Sequence, residues 1–432
     1  MKKIATYCPA LLALAILGAR TAEADEVTDW NAIMFQAAHV AGTTPLITTR
    51  VAAIVQAAVF DAVNGIERRY TPIHVTADAP RGASQRAAAV EAAYASLVLL
   101  YPSQKTTFDD QRAISLAGIA SGAAAENSES IERGINWGDQ VAAAIWAWRS
   151  TDGFTPTPTP YSGVVAIGKW RSTPPGLLPF AGLQFTYMTP WVINSPDQFR
   201  PGGPPALSSA QYAADFNETK DWGSFSSAVR SPDETLYSLF WNASSASYYW
   251  DQIAISLSAA KHLTVSENAR LLALVNVAMA DAAIGCWEAK VHYLFWRPIT
   301  AIREPTDTAI NPATSPDPLW TPLFATPAHP DYPSGHSCVS GAAGRILSNF
   351  FGNNNSFSVT SDVMTTVTRF FPSITAAVDE IRNARVFAGI HFRTATNDGG
   401  TLGINVADWA QAHSLLPVNG NKVGQIQRGP DD

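Results

Sequence analysis

The sequence predicts an all-α protein built from two four-helix-bundle-like halves, which an extended segment rich in proline and aromatic residues joins. Three observations carry this prediction: helical spacing of apolar residues, a weak internal repeat, and a cluster of prolines between the halves. The chain has 432 residues, of which 47% are apolar and 15% charged. That is enough chain for one large or two medium domains.

The first 24 residues have the features of a signal peptide. Lys2 and Lys3 form a basic start, residues 11–17 are apolar, and Ala22 and Ala24 give an A-x-A cleavage pattern. The apolar run is too short to span a bilayer. We therefore expect a protein that is exported to a periplasm or secreted and that is not an integral membrane protein.

Helical periodicity is clear in eight stretches whose apolar residues recur at i, i+3, i+4 and i+7. They are residues 50–66, 85–100, 131–149, 248–262, 268–296, 335–351, 374–390 and 401–415. Thr264 and Glu267 fit a capping box before the longest stretch, and Pro298 is expected to end it. We expect an N-terminal helical bundle over 25–152 and a C-terminal bundle over 216–432.

Residues 153–215, called the strap below, contain prolines that exclude long helices. Aromatic residues such as Trp170, Phe185 and Trp191 are interleaved with them, and a flexible linker would lack these. The strap is therefore expected to pack in extended form across the helices. Its run 164–167 could form a short strand.

The repeat relates residues 50–65 to 270–285, where seven of sixteen positions are identical. Either two alanine-rich helices share a core pattern, or the two bundles arose by duplication. Asp61 and Asp281 occupy equivalent positions, and we expect them to accept structural hydrogen bonds rather than act as catalytic acids.

Charge and cysteine content limit the partners. The formal charge is −7 and there is no basic run, which argues against nucleic acid as a partner. Beyond the predicted signal peptide only Cys286 and Cys338 remain. They form either one disulfide or two buried thiols, and no cysteine–histidine spacing is typical of zinc.

Two segments place cations where they can face an anion. Lys290 and Arg297 lie seven residues apart, about two helical turns, on one face. Arg385 precedes His391 by six residues and adds a third cation with a histidine.

A third segment, Pro333-Ser334-Gly335-His336, precedes a predicted helix. A helix N-terminus presents free N–H groups and a positive dipole end, which favours bound anions. Ser334 supplies a hydroxyl, Gly335 allows close approach of the backbone, and His336 can donate or accept a proton.

Together the three segments resemble the signature of the vanadium-dependent haloperoxidases and of the related type 2 phosphatidic acid phosphatases and bacterial acid phosphatases. That signature is Lys-x6-Arg-Pro, Pro-Ser-Gly-His and Arg-x5-His, and all three parts occur here in order within residues 285–398. The haloperoxidases of this superfamily consist of two helical bundles, which suits the repeat.

The resemblance implies vanadate as cofactor, with phosphate able to occupy the same site. It implies five residues that hold the equatorial oxygens of the oxyanion: Lys290, Arg297, Ser334, Gly335 and Arg385. His391 would bind vanadium, His336 would act as acid or base on the opposite side, and Lys290 would polarise the peroxide. The partners would be hydrogen peroxide, a halide and a small organic acceptor, and the chain could form a homo-oligomer.

Four positions bear on the choice of reaction. The phosphatases carry Ser and Asp where this chain has Ala384 and Ala395, which removes the carboxylate that would activate a nucleophilic His391. Asp398 is a candidate replacement.

Trp287 resembles the fungal-type chloroperoxidases, whereas His329 resembles the bromoperoxidases; both are expected near the halide. The sequence thus favours a vanadate-dependent haloperoxidase that prefers bromide or iodide. The alternatives are an exported acid phosphatase with a phosphohistidine intermediate, and a non-catalytic anion-binding protein.

Overall fold

The computed structural model describes residues 25–121, 124–304 and 310–418. The predicted signal peptide lies outside these residues. The described part of the chain contains thirteen α-helices, numbered α1 to α13 in chain order: Glu26–Val40, Pro45–Glu67, Gln85–Leu100, Lys105–Ser121, Ser128–Arg149, Ala210–Gly223, Pro232–Ala243, Ala246–Lys261, Val265–Tyr293, Pro298–Arg303, Gly335–Phe351, Ile374–Phe387 and Arg393–His413. The all-α fold class is confirmed.

Each of the eight predicted stretches lies on a helix. The sequence missed α1, α4, α6, α7 and α10, whose apolar periodicity is weak or whose length is short. Helix α4, for example, buries only Phe108 and Ile119, so it shows no continuous apolar stripe. Helix α6 begins at Ala210, so the extended backbone of the strap ends before the predicted boundary at residue 215.

Two local predictions need correction. Pro298 does not end the long helix; α9 stops at Tyr293, where Leu294 takes a left-handed conformation, and Pro298 begins α10. Residues 164–167 form no strand, although Gly163 pairs with Arg171 in an isolated bridge. The described residues contain one sheet, an antiparallel pair β1 (Phe357–Thr360) and β2 (Thr368–Phe371), which the sequence analysis missed.

The structure extends the repeat beyond residues 50–65, in the same register of 220 residues. Helices α1 and α2 correspond to α8 and α9, and the N-cap positions match as well: Asp25 with Ser245, and Thr44 with Thr264. The capping box predicted at Thr264 is present. Correspondence of helix starts, and not only of alanine-rich core positions, favours duplication over a shared core pattern.

The two repeated aspartates perform the same structural task. Asp61 accepts hydrogen bonds from the backbone N–H groups of residues 73, 74 and 75. Asp281 accepts them from residues 191, 192 and 193 of the strap. Each carboxylate therefore fastens an irregular segment to a core helix, as the sequence analysis expected.

The second pair of helices in each bundle also corresponds. Helix α5 crosses α3 where a Cβ on Gly138 would lie 2.5 Å from the carbonyl oxygen of Ala88. Helix α13 crosses α11 where a Cβ on Gly403 would lie 2.0 Å from the carbonyl oxygen of Cys338. Only glycine permits both crossings. The bundles are thus α1–α2–α3–α5 and α8–α9–α11–α13, and the second crossing fixes the N-terminal end of α11.

Helices α2 and α9 pack at the centre, so the core runs through both bundles. Both are long and apolar enough to cross a membrane, but their most apolar windows are 89% and 100% buried inside the protein. They therefore serve as core helices. The strap crosses this core and buries Trp170 and Phe185, with one short 3-10 helix at Leu183–Tyr187.

Candidate active site

A cavity of about 70 Å³ lies where the N-terminal end of α11 meets α9, α12 and the loop after α12. Six of its lining residues were predicted from the sequence: Trp287, His329, Gly335, His336, Arg385 and His391. Its mouth includes Pro45, Leu46 and Thr49 from the start of α2. The first bundle therefore contributes to the site, although all the site residues predicted from the sequence lie in the second bundle.

Lys290 lies in the last turn of α9 and is completely buried. Its ammonium group donates to the carbonyl oxygens of Pro330, at 2.6 Å, of Asp331, at 3.1 Å, and of Pro333. Burial lowers the pKa of Lys290 to about 8, and the neighbouring Arg297 acts in the same direction. The ammonium group thus organises the loop that leads into α11.

Arg297 is the N-cap residue of α10 and is also fully buried. Its Nη1 donates to the carbonyl oxygen of Ile390 at 2.5 Å and lies 3.1 Å from His391 Nε2. Its Nη2 lies 3.0 Å from His329 Nδ1. Burial lowers the pKa of Arg297 to about 10. The guanidinium group of Arg297 therefore contacts the imidazole rings of both His391 and His329.

Arg385 lies near the end of α12, and its side chain is buried. Its Nη1 donates to Asn242 Oδ1 at 3.2 Å, whereas its Nε has no hydrogen-bond partner. Burial and the nearby Arg297 together lower the pKa of Arg385 to about 9. A bound anion would accept a hydrogen bond from the unpaired N–H group of Arg385 and would reduce the repulsion between Arg385 and Arg297.

Ser334 is the N-cap residue of α11, but its hydroxyl is buried and makes no hydrogen bond. Ser84, the N-cap residue of the corresponding helix α3, accepts the usual bond from the N–H of Ala87 at 3.0 Å. The hydroxyl of Ser84 therefore caps its helix, whereas the hydroxyl of Ser334 does not and is available for another partner. A Cβ on Gly335 would lie 3.1 Å from the ring of Trp287, so glycine keeps the helix end open beside the cavity.

His391 lies in the loop between α12 and α13 and is buried. Its Nδ1 lies 2.9 Å from Oδ1 of Asp331 but forms no hydrogen bond. Burial raises the pKa of Asp331 to about 7, while Arg297 and Lys290 oppose that rise. Burial lowers the pKa of His391 well below its usual value, and Arg297, Lys290 and Arg385 add to this. The ring is therefore neutral near pH 7, the form that ligates a metal.

His336 lies in the first turn of α11 and is half-buried. Burial and the charge of Arg385 lower its pKa well below the usual value. Burial and the charge of Arg297 also lower the pKa of His329 well below its usual value. The centroid of its ring lies 5.0 Å from that of Trp287. Both histidine rings are therefore neutral near pH 7 and can accept a proton at the cavity wall.

The donor set fits a small tetrahedral oxyanion such as vanadate or phosphate. Three buried cations, an unpaired serine hydroxyl and a helix N-terminus converge on a space far smaller than a pocket for an organic ligand. Lys290, Arg297 and Ser334 lie behind the cavity wall, whereas Gly335 and Arg385 line it. The observation that indicates a ligand is that Ser334 Oγ and Arg385 Nε are buried without partners.

Sequence reasoning missed Asp331. Asp331 lies two residues before Pro333, the first residue of a recognised motif, which was a sign of its importance. No sequence spacing, however, related Asp331 to His391. Asp398, suggested as the missing carboxylate, is not that group: its Oδ2 accepts a hydrogen bond from the hydroxyl of Tyr332 at 2.5 Å. Cys286 and Cys338 are buried free thiols, so the alternative of a disulfide is not realised in this structure.

Comparison with known proteins agrees with the motif resemblance. Residues 270–420 match the family model of the VCPO second helical-bundle domain. Over 150 residues the chain is 30% identical to the vanadium chloroperoxidase of Curvularia inaequalis. This match covers 29% of this chain and 24% of the relative, so the chain spans about a quarter of that protein's length.

Solved structures match over most of the chain. A bacterial vanadium-dependent iodoperoxidase superposes with a TM-score of 0.78 at 24% identity, covering 90% of this chain and 97% of that one. A bacterial vanadium-dependent chloroperoxidase in its holo form gives a TM-score of 0.64 at 16% identity, covering 85% and 92%. Residues 270–420 are therefore a helical-bundle domain of the vanadium chloroperoxidase type, and the chain has the fold of the vanadium-dependent haloperoxidases.

Proposed function

We propose that the protein is a vanadate-dependent haloperoxidase that uses hydrogen peroxide to oxidise a halide to hypohalous acid. The observation that carries the proposal is the end of α11, where the unpaired hydroxyl of Ser334 lies among three buried cations and beside two neutral histidines. The family-model match over residues 270–420 supports it.

The position of each site residue indicates the role that it would have in this reaction. Lys290, Arg297, Ser334, Gly335 and Arg385 would hold vanadate through its oxygens, and His391 would be its ligand from the protein. When bound, vanadate supplies Lewis acidity toward peroxide. Asp331 would keep the ring of His391 in place through the contact at Nδ1, so that Nε2, which lies 3.1 Å from Arg297 Nη1, would be the nitrogen that binds the ligand. His336, which is neutral, accepts a proton from peroxide and returns one to the leaving oxygen.

Bromide or iodide is the favoured halide. His329 lies against Trp287 at the cavity wall, so a polar ring occupies a place where the resemblance gives chloroperoxidases phenylalanine. The higher TM-score of the iodoperoxidase, 0.78 against 0.64, is consistent with this preference. The hypohalous acid would react with a small organic acceptor.

A second candidate, an acid phosphatase, gains support from Asp331. The sequence lacks the carboxylate after His391 that activates a nucleophilic histidine in the phosphatases. Asp331 brings a carboxylate oxygen to within 2.9 Å of His391 Nδ1 from a different segment. His391 would then attack phosphorus, and His336 would protonate the leaving alkoxide. Export and a homo-oligomeric state remain predictions under either function.

One experiment separates these functions. Purified protein is incubated with orthovanadate, hydrogen peroxide and bromide or iodide, and halogenation of a diketone dye is followed with and without phosphate. We expect halogenation that requires vanadate, that phosphate suppresses and that Lys290→Ala and His391→Ala abolish. Hydrolysis of an aryl phosphate, inhibited by vanadate and without halogenation, would assign the phosphatase. Vanadate binding without either activity would assign the anion-binding protein.

A further inference from the structure

A second and larger cavity lies on the first bundle, away from the candidate active site. Its volume is about 310 Å³, and it lies between the start of α2, the C-terminal ends of α3 and α5, and the first residues of the strap. Small-molecule sites in proteins begin at about this size. The proposed halide oxidation uses none of its residues.

The walls of this cavity are mostly aromatic and aliphatic. Tyr101, Trp146 and Phe154 contribute rings, and Ile47 and Leu99 contribute aliphatic side chains. Leu99 is 42% exposed, so part of this apolar wall faces solvent when nothing covers it. Flat rings beside aliphatic groups suit a flat aromatic ligand, which can stack on one wall and pack against another.

Among the described residues that line the cavity, the charged one is Arg50, which is 5% exposed. Its Nε donates to Asp152 Oδ2 at 2.9 Å, and its Nη2 donates to the carbonyl oxygen of Arg149 at 2.8 Å. Its Nη1 makes no hydrogen bond to any residue that the structure describes. Because Arg50 lines the cavity, that N–H group remains available to a ligand there.

The carboxylate that pairs with Arg50 is shared between two arginines. Asp152 is shared, because its Oδ2 also accepts from Arg149 Nη2 at 3.1 Å and its Oδ1 accepts from the N–H of Phe154. Asp281, near Arg149, is already held by three backbone N–H groups of the strap. No acidic side chain lines the cavity among the residues described. The free donor of Arg50 therefore meets no competing carboxylate on the cavity side.

We propose that this cavity is a binding site for a small aromatic anion. The guanidinium carbon of Arg50 lies over the ring of Phe154, 4.5 Å from its centroid. The aromatic ring of the ligand would therefore pack against Trp146, and a carboxylate or phenolate oxygen would accept from Arg50 Nη1. The site is separate from the oxyanion cavity, because the two lie on different sides of the same first turns of α2: Leu46 and Thr49 line one, and Ile47 and Arg50 line the other.

The test uses the full chain and calorimetric titration with naphthoate, compared with the uncharged naphthamide. Naphthoate is expected to bind saturably and at least about tenfold more tightly than naphthamide, since only the carboxylate can accept a charge-assisted hydrogen bond from Arg50. Orthovanadate at saturating concentration is expected to leave the naphthoate affinity unchanged, because it fills the other cavity.

Leu99 allows a matched pair of variants, because it is exposed and lines the cavity but is outside the catalytic machinery. Leu99→Glu is expected to weaken naphthoate binding at least about fivefold by charge repulsion, whereas Leu99→Gln keeps it within about twofold. Thermal melting verifies that both variants fold. The proposal is overturned if naphthoate does not bind, if vanadate displaces it, if naphthamide binds equally well, or if the two variants behave alike.

Discussion

The carboxylate of Asp331 lies 2.9 Å from Nδ1 of His391, although 60 residues separate them in the chain. Both side chains are buried, and Arg297 approaches the opposite ring nitrogen of His391 at 3.1 Å. Both ring nitrogens of His391 thus lie close to a charged or ionisable side chain. Such outer contacts fix the orientation and tautomer of a ligating histidine, so Asp331 is a positioning residue in the proposed site.

Asp331→Asn is expected to weaken vanadate binding about 10- to 100-fold, because the amide keeps the shape but removes the charge that orients His391. The measurement is a direct titration of vanadate, with halogenation rates as a second readout. Asp398→Asn is the matched control: Asp398 contacts Tyr332, not His391, so vanadate affinity should stay within about threefold. Equal losses in the two variants would contradict the assigned role of Asp331.

His336→Ala is expected to lower turnover about 100-fold or more and to change vanadate affinity by less than about threefold. The reason is that a neutral histidine at the cavity wall moves protons but supplies no charge to the bound oxyanion. Steady-state rates measure the turnover, and a vanadate titration measures the affinity. The control is His292→Ala, an exposed position on α9. Unchanged turnover in His336→Ala would rule out the acid–base role.

The two N-cap serines are expected to respond oppositely to removal of the hydroxyl. Ser84→Ala should cost about 1 kcal/mol in the free energy of unfolding, because it removes a cap bond to Ala87. Ser334→Ala should leave the stability of the ligand-free protein unchanged or slightly higher, since its buried hydroxyl has no partner to lose. Only Ser334→Ala should weaken vanadate binding. Chemical denaturation and vanadate titration of both variants measure these differences, and a cap-like loss at Ser334 would contradict the assignment.

Gly403→Ala is expected to destabilise the protein by about 2–4 kcal/mol, because its Cβ would lie 2.0 Å from the carbonyl oxygen of Cys338. The helices would have to separate at the crossing that positions Ser334. Gly118→Ala on α4 is the matched control, with no atom within 4 Å of the added Cβ, and should stabilise by about 0.5–1 kcal/mol. Denaturant unfolding of both variants checks the signs, and equal effects would disprove the close crossing.

Anion affinity is expected to fall as pH rises above about 8. The pKa of Lys290 is lowered to about 8 by burial, and a bound anion would raise it, so binding above that pH takes up a proton. Affinity should therefore fall above about pH 8 by up to about tenfold per pH unit. Arg385, with a pKa lowered to about 9, steepens the fall at higher pH.

Sulfate is the suitable probe for this pH dependence, because it is tetrahedral and does not itself titrate in this range. Calorimetric titrations at several pH values measure the slope. The control variant Lys290→Gln should bind sulfate more weakly and lose the first part of the slope. Constant affinity of the unmodified protein up to about pH 9 would show that the Lys290 ammonium group is not lost in that range.

Helical periodicity predicted the eight long helices well, because each buries a continuous apolar stripe against the core. The ends of these helices were predicted less accurately than their positions. The end of α9 depends on the left-handed conformation at Leu294, which local sequence does not encode, since leucine rarely adopts it. Helix α10 escaped prediction because six residues are too few to show a helical repeat.

The sequence by itself determined the all-α fold class and identified the signature residues from Lys290 to His391 as candidates for the site. The expected shared helix face of Lys290 and Arg297 is not present, because α9 ends at Tyr293 and Arg297 is the N-cap residue of α10. Only the tertiary structure decided that Asp331 lies beside His391, that the hydroxyl of Ser334 has no hydrogen-bond partner where that of Ser84 has one, and that α2 contributes to the lining of the cavity. Those relationships depend on helix crossings between segments far apart in the chain, and no local pattern records them.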